Sequence, residues 1–160
     1  MSQDFEDGYA VTIAADGGEW VVREFEDDFD SLETSVAAVR ALRSEGAAFA
    51  ILNVEEEYLV IVRPGPSKTR LLISDATMAV DDHFAADILD EAGIDIPDID
   101  PGELDNIDGW PDGDFDIFAD LGLSEQVLSI VLDSGDDPHE AIMRIAEELG
   151  FADELADCLE

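Results

Sequence analysis

The chain of 160 residues contains one cysteine, seven Lys and Arg, and no apolar run approaching the roughly 18 residues that a bilayer-spanning helix needs. Cys158 alone can form no intramolecular disulfide, and a four-Cys zinc site is excluded. The seven bases face 42 Asp and Glu, for a formal net charge of −35. Binding to a phosphate backbone is driven by Lys and Arg that release condensed counterions, so direct nucleic-acid binding is excluded as the main activity. An anionic membrane surface repels the chain for the same reason. The N-terminal stretch Met1–Ala10 lacks the basic and apolar regions of a signal peptide, and the expected location is the cytoplasm. No Gly-x-x-x-x-Gly-Lys or Gly-x-Gly-x-x-Gly phosphate cradle occurs. Neither His83 nor His139 lies near a Gly-x-Ser-x-Gly turn, so no Ser/His/Asp order can be drawn. No cofactor is implied.

Apolar residues nevertheless make up 46% of the chain, with eight Phe, two Trp and two Tyr, enough to build a core. A folded monomer of this mass exposes roughly 7,900 Å². Net negative charges then lie about 15 Å apart, against a Debye length of about 8 Å at physiological salt. Repulsion is therefore mostly screened in a cell and strong at low ionic strength. The charge is uneven: residues 1–80 hold 16 acids and six bases, residues 81–160 hold 26 acids and one base, Arg144. Such asymmetry marks regions with different jobs or neighbours, although adaptation to a salty cytoplasm also produces an acidic surface.

The patterning predicts an α+β fold with a small, mainly antiparallel sheet in the order β-β-α-β-β-β and packed helices. Tyr9–Ile13 and Trp20–Phe25 are β-rich runs joined by a hairpin turn at Ala15–Gly18. Leu32, Val36 and Val39 give a helical stripe, with Asp30 or Ser31 as cap and Gly46 as stop. Phe49–Val54 and Tyr58–Val62 flank an acidic tip, and a Pro-Gly-Pro loop over 64–66 leads to a fifth strand, Thr69–Ile73. A helix capped by Ser74 is expected to run to about Ala92. The Pro- and Gly-rich acidic stretch 94–115 reads as a linker after a sheet domain over 1–93. A C-terminal helical region follows over 116–160, either separate or packed on the sheet as one unit. Within it, one turn ends at Gly122, Ser124 caps a helix, and Asp137-Pro138 form an N-cap and N1 pair.

The acids invite a metal reading. Asp112, Asp114 and Asp116 match positions 1, 3 and 5 of a calcium loop, but Ile117 replaces the turn-making Gly and Leu123 the bidentate Glu. Paired carboxylates for hydrolysis cannot be singled out among 42. His83, with Asp87 four residues on, reads as a surface ion pair, and His139 near a helix start reads as exposed. Acids around Cys158 (Glu154, Asp157 and Glu160) raise a thiol pKa, so it reads as a packed helix residue. Two places have the composition of a binding surface. Trp110, Phe115 and Phe118 interrupt the acids Asp112, Asp114 and Asp116, and these aromatics either anchor an interface or fold back as core. Glu55, Glu56 and Glu57 form a hairpin tip that is either a plain solvated turn or a contact.

Several stretches together resemble the tRNA adenosine deaminase-associated proteins of high-GC bacteria. They are Ile51–Arg63 (ILNVEEEYLVIVR), Leu72–Ala76 (LISDA), Phe118–Leu123 (FADLGL) and Ile145–Leu155 (IAEELGFADEL). The resemblance covers nearly the whole chain and is one of pattern, with no catalytic residues to carry over. It implies a non-catalytic accessory protein acting through a basic protein partner, the deaminase itself being the candidate. A zinc deaminase needs His-x-Glu and Pro-Cys-x-x-Cys to hold the metal and shuttle protons. Here His83 precedes Phe84-Ala85, His139 precedes Glu140-Ala141, and there is one Cys, so the chain is not the deaminase. The alternatives are a nucleic-acid-mimicking polyanion that occupies basic sites on other proteins, and a divalent-metal-dependent hydrolase using surface carboxylates.

Overall fold

Strands covered on both faces read as continuous apolar runs, whereas half-solvated strands alternate. Ala48–Val54 and Tyr58–Val62 are of the first kind, and nearly all of their residues are buried. The computed structural model describes residues 8–27, 29–44, 46–65, 68–133 and 137–159. The expected leaderless N-terminus (1–7), Pro66 of the Pro-Gly-Pro loop and Glu160 beside Cys158 lie outside them.

Six strands form one sheet: β1 (Gly8–Asp16), β2 (Glu19–Glu24), β3 (Ala48–Val54), β4 (Tyr58–Pro64), β5 (Thr69–Ile73) and β6 (Asp112–Gly113). Their order is β2-β1-β3-β4-β5-β6, and every ladder is antiparallel. The α+β reading holds. Because successive side chains point to opposite faces, Val11, Ile51, Ile61 and Leu72 share one register row on one face, while Ala10, Leu52, Val60 and Ile73 share a row on the other.

Each face has its own helical cover. Helices α1 (Leu32–Ala41) and α2 (His83–Ala92) pack on the Ala10 side with Val39, Phe84, Ile88 and Leu89. Helices α3 (Glu125–Leu132), α4 (Pro138–Leu149) and α5 (Ala152–Leu159) pack on the Val11 side with Leu128, Ile142, Ile145 and Leu155. The C-terminal helices thus share a core with the sheet. Phe49 of β3 centres an aromatic cluster there, 4.6 Å from Phe118, 6.0 Å from Phe151 and 6.2 Å from Trp20 between ring centroids.

The helix starts follow from side-chain caps. Ser31, Ser124 and Asp137 accept backbone N–H bonds from Glu33, Val127 and Glu140, as the sequence suggests. Ser74 does not cap a helix; its hydroxyl accepts the Leu59 N–H at 2.9 Å. Two successive Asx caps divide that stretch instead. Asp75 caps a 3₁₀ turn (Ala76–Val80), and Asp82, extended at φ −120°, starts α2 by accepting the Phe84 N–H. Helix α1 stops at Leu42, short of Gly46, because Arg43 already turns left-handed at φ +50°.

Within 94–115 the chain forms a 3₁₀ turn over Pro101–Asn106 and then β6. This sixth strand has two residues and no apolar alternation, so nothing in the pattern announces it. It needs Gly113, where φ is +126° and a Cβ would stand 2.5 Å from the Leu71 carbonyl oxygen.

Candidate protein-binding surface

Chain direction sorts the charges along the sheet. The β3–β4 turn, the start of β1 and the N-terminus of α4 lie at one end, since Gly8 pairs with Val54 and the His139 N–H reaches Glu56. The end of α1, Gly65 and Lys68 lie at the other. Two hollows open at the hairpin end. One of about 320 Å³ is lined by Glu55, Glu57, Asp81, Asp82, Phe29 and Met78. The other, of about 190 Å³, is bounded by Glu57, Ser74, Asp75, Gly109 and Pro138. No Lys or Arg lines either hollow. Arg40, Arg43, Arg63 and Arg70 line a groove at the opposite end, and Lys68 joins Arg70 in the hollow beside it.

The hairpin tip is anchored by its middle residue. Glu57 N–H closes the turn on the Val54 carbonyl at 2.9 Å. Between them Glu55 and Glu56 both adopt left-handed backbone, φ +53° and +59°. A β-turn whose two central residues are both left-handed ordinarily has Asn-Gly or Gly-Gly there, because a side chain costs energy. Asn53, fully buried on β3, holds Glu56 from both sides: its Oδ1 accepts the Glu56 N–H, and its Nδ2 donates to Glu56 Oε1, each at 2.9 Å. The same Oε1 accepts the His139 N–H at 3.1 Å. His139 Nδ1 in turn lies 2.8 Å from Tyr9 Oη, with the rings edge to face. With Glu56 turned inward, Glu55 and Glu57 project into solvent.

His139 is therefore half-buried, contrary to the exposed position expected of a cationic residue near a helix start. The phenol of Tyr9, buried on β1, requires a polar neighbour, and α4 supplies it. Burial pushes the Tyr9 pKa well above the ordinary phenol value, with Glu56, Asp137 and Glu24 adding to the rise and a hydrogen bond with Asn53 opposing it. Tyr58 is shifted the same way by burial and by Asp82, to which its hydroxyl donates at 2.9 Å.

The aromatic and acidic run of 110–118 does not present one face. Trp110 stays 39% exposed at the hairpin end, where its carbonyl accepts the Ala76 N–H at 2.8 Å. Asp112 accepts its neighbour Gly113 N–H and lines the same hollow as Lys68. Asp114 pairs with Arg70 at 2.6 Å, and this bond holds its carboxyl below the usual carboxylate range. Asp116 is exposed, and its N–H bonds Asp114 Oδ1. Phe115 packs half-buried against the core, while Phe118 is fully buried on Phe49 and offers no surface to a partner. An aromatic flanked by acids reads alike whether it faces solvent or core, and only the path of the chain over the sheet decides between them.

Other candidate groups fall into place around this frame. His83 and Asp87 are 3.6 Å apart on the exposed face of α2. Cys158 is half-buried, and burial raises its thiol pKa, with the charge of Glu24 on β2 adding to the rise. Among the described residues no three Asp, Glu, His or Cys side chains converge as a metal site would require. No described helix is long and apolar enough to cross a membrane. The segregation of bases to one end went unseen in the sequence, where Arg40, Arg43, Arg63, Lys68 and Arg70 lie scattered over 31 positions.

A family model described as Rv3753c-like tRNA adenosine deaminase-associated protein matches residues 8–152. Protein Rv3753c of Mycobacterium tuberculosis (strain ATCC 25618 / H37Rv) is 42% identical over 155 residues, which cover 96% of this chain and 88% of that protein. No solved structure matches the chain.

Proposed function

Because the chain belongs to the Rv3753c-like tRNA adenosine deaminase-associated family, we propose that it is an accessory protein without catalysis of its own. In this reading it binds a basic protein partner, the tRNA adenosine deaminase, in the cytoplasm through the acidic end of its sheet. The observation that carries the reading is the hairpin tip. Two consecutive glutamates occupy left-handed positions that Asn-Gly would fill more cheaply. The buried Asn53 and the α4 backbone hold Glu56 so that Glu55 and Glu57 stand outward. Backbone strain that persists inside a supporting hydrogen-bond network is characteristic of functional positions. Trp110 and the acids Asp81 and Asp82 lie at the same end and supply a half-exposed aromatic beside the charge.

An enzyme that grips an anticodon loop is expected to carry a positive surface, and a −35 chain finds such a surface by electrostatic steering. The binding then competes with RNA for the same charges. The test is an affinity measurement between the two purified proteins at two salt concentrations, with and without excess tRNA. Binding is expected to weaken about tenfold or more when salt is raised, to be displaced by tRNA, and to weaken in E55Q/E57Q. Affinity indifferent to both salt and tRNA removes the reading. Equal capture of many unrelated basic proteins would instead make the chain a general polyanion mimic.

A further inference from the structure

We infer that the groove at the end of the sheet opposite the hairpin tip is a binding site for a small phosphorylated molecule. Four of the chain's seven bases, Arg40 and Arg43 from the end of α1, Arg63 from β4 and Arg70 from β5, line one groove of about 450 Å³. Such a concentration in a protein of net charge −35 is not what a uniformly acidic surface produces. Helix polarity does not account for it either. The C-terminus of α1 carries the equivalent of about half a negative charge, which one arginine already offsets.

The groove is divided between fixed and free cations. Arg63 is 15% exposed and clamped: its Nη1 donates to the Ile117 carbonyl at 2.6 Å, and Nη1 and Nη2 together grip Asp120. A guanidinium has five N–H donors, so Arg63 retains its Nε–H and one on Nη2. Arg70 uses only Nε, on Asp114, and retains its four terminal N–H groups. These two arginines are neutralised by their carboxylates yet held in place with unused donors. Arg40 and Arg43 are exposed and, among the described residues, form no ion pair. Arg40 and Arg43 thus add about two positive charges to the groove lining. The helix end offsets them in part, as do Glu33, Asp87, Asp90 and Glu91 of the hollow that Arg40 shares on its other side, and the surplus suits a phosphoryl group.

The backbone favours the same interpretation. Arg43 occupies the position after the helix cap where glycine is usual, and it does so left-handed, at φ +50°. An arginine kept there against its conformational preference aims a guanidinium where glycine would offer none. Volume then specifies the ligand's body. About 450 Å³ is within the range of small-molecule sites and exceeds the need of a bare phosphate, and Val39 and Pro64 add apolar lining. The ligand is a phosphate carried on a compact organic group. A long polyanion is disfavoured, because beyond the groove it meets the acidic remainder of the surface within a Debye length.

The test is calorimetric titration with inorganic pyrophosphate and with AMP, in buffer of matched ionic strength. A saturable, one-to-one isotherm is expected, with AMP at least as tight as pyrophosphate. R40Q/R43Q removes the two unpaired cations from exposed positions and is expected to weaken both probes about tenfold or more. R23Q/R144Q changes the net charge equally at exposed positions outside the groove and is expected to bind as the parent does. No saturable heat, or affinity retained in R40Q/R43Q, overturns the assignment. A short single-stranded RNA that binds more tightly than AMP overturns the small-molecule ligand in favour of a polyanion. None of these outcomes involves the deaminase, so the proposed accessory role stands or falls separately.

Discussion

Arg63 on β4 grips Asp120, 57 positions away, with two parallel hydrogen bonds of 2.7 and 2.8 Å, and spends another donor on the Ile117 carbonyl. This one side chain ties the turn that carries Ile117 and Phe118 to the sheet. Removing either partner is therefore unequal. In D120N the arginine keeps the Ile117 carbonyl, and the loss is that of a half-exposed pair, about 1 kcal/mol or less. In R63M the Ile117 carbonyl also loses its donor, and the expected cost is about 2–3 kcal/mol. Urea midpoints of the two variants give the ordering directly; equal midpoints would mean that the bond to Ile117 contributes nothing.

Acid dependence separates these ion pairs from the rest of the charge. Hydrogen bonds from Arg70 and Arg63 hold the carboxyls of Asp114 and Asp120 below the usual carboxylate range. A depressed folded pKa means the folded chain binds fewer protons than the unfolded one. The associated stability is present above about pH 4 and is lost as pH falls through the folded values. D114N/D120N lacks this contribution. The stability gap between wild type and variant is expected to narrow between about pH 6 and about pH 3, in urea titrations at each pH. A gap that stays constant shows that the pairs do not discriminate the folded state.

Both tyrosines of the chain, Tyr9 and Tyr58, are buried with their pKa values raised. For a raised acid the sign reverses relative to the aspartates. The folded state keeps the phenols neutral, so their stabilisation is complete below about pH 10 and lost as pH rises above it. With no exposed tyrosine to titrate first, tyrosinate absorbance should rise only as far-UV circular dichroism falls. A phase of tyrosine ionisation that precedes loss of secondary structure would show that one phenol reaches water in the folded chain.

Net charge itself makes stability depend on salt. At −35, repulsion across the surface is strong when the Debye length is long and weakens as salt shortens it. The urea midpoint is expected to rise between low and moderate NaCl. A midpoint that does not move would show that the unfolded chain is repelled as much as the folded one.

The five longer strands, the caps at Ser31, Ser124 and Asp137, and the left-handed Gly122 were all legible in the sequence, since each follows from a local rule about period or backbone freedom. What escaped was set by distance along the chain. Strand β6 exists because Gly113 allows the backbone to approach Leu71, and a two-residue strand has no period to detect. Asp75 and Asp82 replaced Ser74 as caps because the stretch divides into a 3₁₀ turn and a helix, each started by its own aspartate, while the sheet claimed the serine hydroxyl. The tip Glu55–Glu57 was visible as composition, but its left-handed backbone and the anchoring of Glu56 by Asn53 and α4 were not. Trp110, Phe115 and Phe118 looked equivalent and ended exposed, half-buried and buried.

The hairpin tip allows stability and binding to be moved in opposite directions. A non-glycine residue in left-handed backbone costs roughly 1–2 kcal/mol, and glycine gives back part of that through its freer unfolded state. E55G is therefore expected to raise stability by about 0.5–1 kcal/mol while weakening affinity for the proposed deaminase partner, because a tip carboxylate is lost. E55Q keeps the strained backbone and loses only the charge, so it should weaken binding similarly without gaining the full stability of E55G. Urea unfolding and a salt-matched affinity measurement on the three proteins decide the point. If E55G proves less stable than its parent, Glu55 is not strained, and the case that the tip is held open for a partner fails with it.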